Sequence, residues 1–390
     1  MVLAGSMARL GTESAFEVLA KARAVEAAGK HVVHLEIGEP DFPTPPHVIE
    51  AGIEALQRGA THYTPPAGIP ELREAIADHA GRERGLAIDP AEVVVTPGAK
   101  PVMFFGLVAL VNPGDEVVCP DPGFPIYASV VSFLGARPVP IPLREANGFA
   151  FDLDLLRSEV TARTRLIILN SPQNPTGGVL PRSVLEDIAG LARRHDCWVL
   201  SDEIYGRLLY EGEHVSIASL PGMRERTIIL DGFSKTYAMT GWRLGYGIMP
   251  AELADHVAKL LVNSVSCTAA FTQHAGIAAL TGPQDCVDDM LAEFRARRQL
   301  VVEGLNAIPG ITCPWPAGAF YAFPNVTALG LPSAALADRL LTDYGVATLA
   351  GSSFGPAGEG YLRLSYANSQ PNLREALTRI RRCAEDLAAR

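Results

Sequence analysis

Two apolar periodicities alternate along the chain, and their order predicts its architecture. Short continuous apolar runs at 93–96, 116–119, 166–169, 198–201, 227–230 and 244–249 read as buried strands. Apolar positions three and four apart predict helices at 99–111, 124–135, 181–195 and 251–280, the last divisible into two pieces. Earlier helical stretches cover 15–29, 47–58 and 70–84. The proline-rich segment 38–46 between them must be extended or turning, because proline cannot continue a helix. Continuous apolar strands alternating with helices predict an α/β fold whose mainly parallel sheet is covered by helices on both faces. The short gap between the last two strands allows an antiparallel pair there. From about residue 285 the pattern changes to a long charged helix near 286–307, then short strands and two more helices. The expected organisation is an N-terminal arm that joins the small domain (1–45), a large domain (46–285) and a smaller α+β domain (286–390).

Length and composition agree with this picture. A chain of 390 residues exceeds one simple core and suits about two domains. Lys and Arg number 33 against 43 Asp and Glu, a net charge of −10. That balance argues against nucleic acid and against an anionic membrane surface as partners. The six cysteines are scattered with no C-x-x-C pair, so neither a metal site nor a disulfide framework is expected. Reduced thiols in a cytoplasm are the simpler expectation. No basic segment followed by a long apolar core opens the chain, and no apolar run reaches the ~20 residues of a spanning helix.

Candidate chemistry concentrates where strands end, which is where open α/β sheets bind ligands. The richest segment is Asp231-Gly-Phe-Ser-Lys-Thr-Tyr-Ala-Met-Thr-Gly-Trp-Arg243. Of the five lysines, Lys235 alone is framed by a buried strand on one side and small or polar residues on the other. Burial favours the neutral amine, which is the nucleophile in Schiff-base chemistry. Asp202 ends another buried strand, with Tyr205 three residues on; a helix N-cap is the plain alternative for the aspartate. Paired with a pyridine nitrogen, it would keep that nitrogen protonated. Asn174 follows a third strand in Asn170-Ser-Pro-Gln-Asn-Pro175, where an ordinary Asn-Pro turn is the competing account. Gly98, Ala99 and Lys100 open a helix directly after a strand, a setting that suits a phosphate, and Ser234 and Arg243 would complete a dianion site. Arg363 interrupts the apolar run Tyr361-Leu-Arg-Leu-Ser-Tyr366 and suggests a carboxylate partner, either a substrate's or a structural one.

Taken in order, Tyr63, Asn174, Asp202, Tyr205, Lys235, Arg243 and Arg363 resemble the fold-type I pyridoxal-phosphate enzymes of the class I/II aminotransferase family, and specifically those of aspartate/aromatic type. The resemblance runs from Ile37-Gly-Glu-Pro-Asp-Phe42 to Arg363. It implies pyridoxal 5′-phosphate held on Lys235 as an internal aldimine, with Lys235 also moving the proton at the substrate's Cα. It implies Asp202 on the pyridinium nitrogen, Asn174 and Tyr205 at the ring oxygen, and Phe124 stacked on the ring. Gly98, Ala99, Lys100, Ser234 and Arg243 would surround the phosphate. Tyr63 would reach a phosphate across the interface of a homodimer with a shared active site. Arg363, helped by Gly38 and Asn174, would hold the α-carboxylate. The implied activity is ping-pong transfer of an amino group from an amino acid to a 2-oxo acid, with no metal. An elimination, decarboxylation or carbon–carbon condensation on the same scaffold is the alternative, and a non-catalytic regulator a more distant one. Lys100 could face an acidic substrate side chain, but the following Pro101 departs from the family pattern. Phe16, Tyr127 and Phe320 could instead shape a pocket for aromatic or aliphatic groups.

Overall fold

The computed structural model describes residues 2–389. Its twelve strands are β1 (Val33–His34), β2 (Val93–Thr96), β3 (Glu116–Asp121), β4 (Arg137–Pro142), β5 (Thr164–Asn170), β6 (Trp198–Asp202), β7 (Thr227–Gly232), β8 (Gly245–Ile248), β9 (Tyr321–Ala322), β10 (Val346–Ala347), β11 (Leu349–Ala350) and β12 (Leu362–Ser365). Seven of them form one sheet in the order β2-β8-β7-β6-β5-β3-β4. The pairs from β7 to β4 are parallel, and β8 runs antiparallel to both of its neighbours. The strands expected from apolar runs are all present, and the antiparallel pair falls at the short gap between β7 and β8.

β4 is an addition, because its sequence Arg-Pro-Val-Pro-Ile-Pro does not read as a strand. The register explains why it is one. Arg137 donates its N–H to Asp115 and Leu143 donates to Asp121, so odd-numbered residues face β3. The prolines at 138, 140 and 142 therefore lie where their missing N–H groups face the open edge of the sheet.

Successive residues of each strand pack into different cores. Val117, Leu166, Ile168 and Leu200 join one apolar cluster, whereas Val118, Ile167, Leu169 and Val199 join another. In β7, Ile228 and Leu230 enter the first cluster and Ile229 a third. Both faces of the sheet are thus buried, as a strand period of two requires when helices cover each side. The helices are α1 (Ser14–Ala27), α2 (Pro46–Gln57), α3 (Pro70–Arg84), α4 (Lys100–Leu110), α5 (Ile126–Phe133), α6 (Leu153–Glu159), α7 (Arg182–His195), α8 (Ala251–Val262), α9 (Ala270–Thr281), α10 (Asp285–Asn306), α11 (Ser333–Thr342) and α12 (Gln370–Ala388). The region 251–280 is two helices, α8 and α9. Among the described residues, no helix is long and apolar enough to cross a membrane.

A smaller three-stranded antiparallel sheet, β11-β12-β9, lies in the C-terminal part. The N-terminal segment is tied to the same region: β1 pairs with β10 in parallel, and α1 packs on α11. This route carries residues 13–39 to the mouth of the cavity described next.

Candidate active site

The parallel strands end on one side of the large sheet, and chemistry collects at those ends. Asn170 pairs with Asp202 in register, and Asp202 pairs with Leu230. The last residues of β5 and β6 therefore stand side by side and next to Leu230 of β7, which continues to Gly232, three residues before Lys235. Between these ends and the C-terminal sheet lies a cavity of about 540 Å³. Its walls include Lys235, Asp202, Tyr205, Asn174 and Ser234, together with Ala99, Lys100, Phe124 and Arg243. Arg363 and Gly38 close it from the side of the small sheet. Of the expected residues, Gly98 and Tyr63 are not among its walls: Gly98 directly precedes Ala99, whereas Tyr63 is 90% exposed.

Lys235 points its amine at the carbonyl oxygen of Gly38, 2.5 Å away. The side chain keeps partial contact with the cavity, but the amine sits deep among protein atoms. Loss of water disfavours its charge and lowers its pKa to about 8, although Glu39 and Glu13 pull it back upward. Gly38 is required at this contact, because a Cβ there would lie 2.1 Å from the Tyr321 hydroxyl oxygen.

Asp202 is buried at the end of β6. Its two oxygens accept a hydrogen bond from the Tyr127 hydroxyl at 2.5 Å and one from the Ile204 backbone N–H at 3.2 Å. Burial nevertheless pushes its pKa up to about 6, and both hydrogen bonds only moderate that rise. Neither partner is a cation. The carboxylate is thus placed to take a positively charged N–H from the cavity side.

Arg363, 3% exposed, stands on β12. It donates to the Asn174 side-chain oxygen at 3.2 Å and to the Glu36 carbonyl, and its Nε has no partner. Burial lowers its pKa from the ordinary value. The guanidinium lies over two aromatic rings, 4.7 Å from the Tyr321 ring centre and 5.1 Å from that of Phe354. A buried guanidinium whose hydrogen bonds end on an amide and a carbonyl is prepared for an incoming carboxylate.

The opposite end of the cavity is built for an anion. β2 ends at Thr96, whose hydroxyl donates to the Gly98 carbonyl at 2.6 Å. The turn through Gly98 and Ala99 then starts α4, whose first N–H groups have no intrahelical acceptor. Gly98 has φ +85°, and a Cβ there would lie 2.1 Å from Arg243 Nη2. Glycine is what lets the Arg243 guanidinium approach this turn. Arg243 itself has φ 54°, a left-handed conformation costly for a side chain of its size. Its hydrogen bonds go to backbone carbonyls, the better one to Thr240 at 2.8 Å.

Several cavity residues escaped the sequence reading. Tyr321 exchanges a hydroxyl hydrogen bond with Tyr205 at 2.7 Å. Asn170 accepts from the Asn174 backbone N–H at 2.9 Å and donates to the Asp202 carbonyl at 3.1 Å, which locks the loop to the strand. Of the aromatics that the sequence offered as pocket residues, Tyr127 reaches the cavity as a partner of Asp202, and Phe16 lines it at 61% exposure. Phe320 takes the core role that is the ordinary one for such an aromatic, with its ring centre 5.9 Å from the Lys235 amine. It is fully buried and stacks on Phe294 at 5.2 Å, while its neighbour Tyr321 faces the cavity. Glu13 also lines the cavity, and no pattern in its own segment marked it.

Comparisons with known proteins point to one family. A family model described as "Aminotransferase class I and II" matches residues 30–380. An aspartate aminotransferase of Pyrococcus abyssi is 44% identical over 91% of this chain and 92% of its own length. An arginine–pyruvate transaminase of Pseudomonas aeruginosa is 41% identical over 96% of this chain and 95% of its own. The solved structure of aspartate aminotransferase from Thermus thermophilus with maleate superposes with a TM-score of 0.95 at 40% identity, covering 98% of this chain and all of that one.

Proposed function

Because this chain belongs to the class I and II aminotransferases, a family that moves amino groups, we propose that it works with pyridoxal 5′-phosphate on Lys235, passing the amino group of an amino acid to a 2-oxo acid. When bound, that cofactor supplies an electron sink for the carbanion formed at the substrate's Cα. The observation that carries the reading is the meeting, in one cavity, of a buried lysine depressed to about 8 with a buried carboxylate raised to about 6. A cofactor with an aldehyde for the amine and a cationic ring N–H for the carboxylate satisfies both. A cavity of about 540 Å³ also falls within the range that takes a cofactor and a small acid together.

Each residue then has a task set by its own chemistry. Lys235, whose lowered pKa raises its neutral share, would hold the cofactor covalently and afterwards carry the proton at the substrate's Cα. Asp202 holds the proton on the ring nitrogen. Tyr205 and Asn174 hold the ring oxygen, and Phe124 covers a ring face. The N–H groups at Gly98, Ala99 and Lys100, with Ser234 and Arg243, hold the phosphate dianion. Arg363 grips the α-carboxylate, with Asn174 beside it and Gly38 at the floor. A firmly held carboxylate favours transfer over decarboxylation.

On the same reading the molecule is a homodimer. Tyr63, 90% exposed here, extends from one protomer to the phosphate end of its partner's cavity. The division into an arm (1–45), a cofactor-binding domain (46–285) and a small domain (286–390) follows the same scheme. Six unpaired cysteines suit a reducing compartment, the cytoplasm.

The test is chemical. Protein mixed with pyridoxal phosphate, reduced with borohydride and digested should carry the label on the peptide containing Lys235, and Lys235→Ala should take none. A label on another lysine, or normal turnover by Lys235→Ala, would defeat the assignment.

A further inference from the structure

The cavity's outer wall, beyond the groups assigned above, carries its own charge pattern. Lys100 Nζ lies 2.7 Å from Glu13 Oε2, and Glu13 lines the cavity just before α1. The ammonium also lies 5.2 Å from the centre of the Phe124 ring. Glu39 stands on the same wall, accepting from the Thr240 hydroxyl and not from a cation. With Arg363, Arg243 and Lys235 committed to the α-carboxylate, the phosphate and the covalent link, the wall left for a substrate side chain holds one cation and two carboxylates. Phe16 and Ile37 supply its apolar part.

We propose that Glu13 is a specificity-determining residue that occupies Lys100 and turns the site away from acidic side chains, toward amino donors with neutral or basic ones. This rests on the aminotransferase reading of the same cavity. An aspartate or glutamate side chain entering here meets an ammonium already neutralised at hydrogen-bond distance. To reach it, the substrate must displace Glu13, exchanging one charge-assisted hydrogen bond for another without net gain. It must also bring a second carboxylate beside Glu13 and Glu39 in a space from which the ligand has expelled water, where like charges repel more strongly. A neutral side chain meets neither penalty, and a basic one meets a wall with surplus negative charge.

The measurement is the ratio of kcat/KM for aspartate to that for alanine, whose methyl group is too short to reach the pair. Glu13→Gln removes the competing charge and frees Lys100, so the ratio should rise tenfold or more. In Glu13→Gln combined with Lys100→Gln, most of that rise should disappear. A ratio unchanged or lowered by Glu13→Gln would overturn the proposal, as would a rise that persists undiminished without Lys100. If the unmodified protein converts alanine, these outcomes bear on Glu13 alone. If it converts no amino acid, the reading beneath the proposal fails instead.

Discussion

Asp202→Asn should stabilise the cofactor-free protein while destroying its activity, and the size of the gain follows from the site. In the folded chain the carboxyl has a pKa of about 6, raised by burial from an ordinary 3.8. Between these values the folded state keeps a proton that the unfolded state has released, so stability falls as pH rises through the window. Above pH 6 both states are ionised, and the full penalty of the buried charge remains. A difference of about 2 pKa units corresponds to about 3 kcal/mol. The amide carries no charge and escapes this penalty. It can still accept from the Ile204 N–H, while the Tyr127 hydroxyl must turn from donor to acceptor, a change that costs ~1 kcal/mol. The expected net gain is ~2 kcal/mol above pH 6, a rise of a few degrees in melting temperature, shrinking to nothing at pH ~4.5 and turning into a small loss below it. Thermal melts of the two cofactor-free proteins across pH 4 to 8 measure it. With pyridoxal phosphate bound the order should reverse, because the amide cannot hold the ring nitrogen's proton, and turnover should fall by ~10³-fold, or ~4 kcal/mol. A variant less stable than the original at pH 8 without cofactor, or a difference that does not vary with pH, would refute the argument that Asp202 is a buried charge awaiting a cation.

Two further substitutions probe neighbours of that charge. Tyr127→Phe removes a charge-assisted hydrogen bond worth ~1.5–3 kcal/mol, so the Asp202 pKa in the cofactor-free protein should climb by ~1–2 units. The acid limb of the pH profile for cofactor association should move up with it, and an unmoved limb would show that the phenol does not tune the carboxylate. Arg363→Lys keeps the charge but loses the planar fork, and kcat/KM for amino donors should fall ~10²–10³-fold, mostly through KM. An unchanged KM would remove Arg363 from carboxylate binding.

What could be read in the sequence, and what could not, divides on physical grounds. Lys235 and Asp202 were legible because each follows an apolar run too uniform for anything but a buried strand, and a charge at the end of such a strand needs a reason. Parallel pairing then brings those ends together with no further information. β4 was hidden because proline argues against a strand until the edge is known, and only the register shows that the missing donors face outward. Phe320 and Tyr321 illustrate a second limit. Neighbours at the start of a short strand face opposite ways, so choosing which one reached the cavity required the register of β9 with β12. Glu13 shows the third limit. It lies 87 positions before Lys100, in a segment whose local pattern says only that a helix follows. Its place in the cavity is decided by β1 pairing with β10 and by α1 packing on α11, contacts that span most of the chain. Asn174, Asp202 and Lys235, all read from sequence, each sit at a strand end or just beyond one. Glu13, proposed to bear on which substrate enters, instead arrives on an arm whose path is set by tertiary packing. Reading the Lys100–Glu13 pair at all required the structure, and on the proposal above it is the charge balance around Lys100 that sets substrate choice.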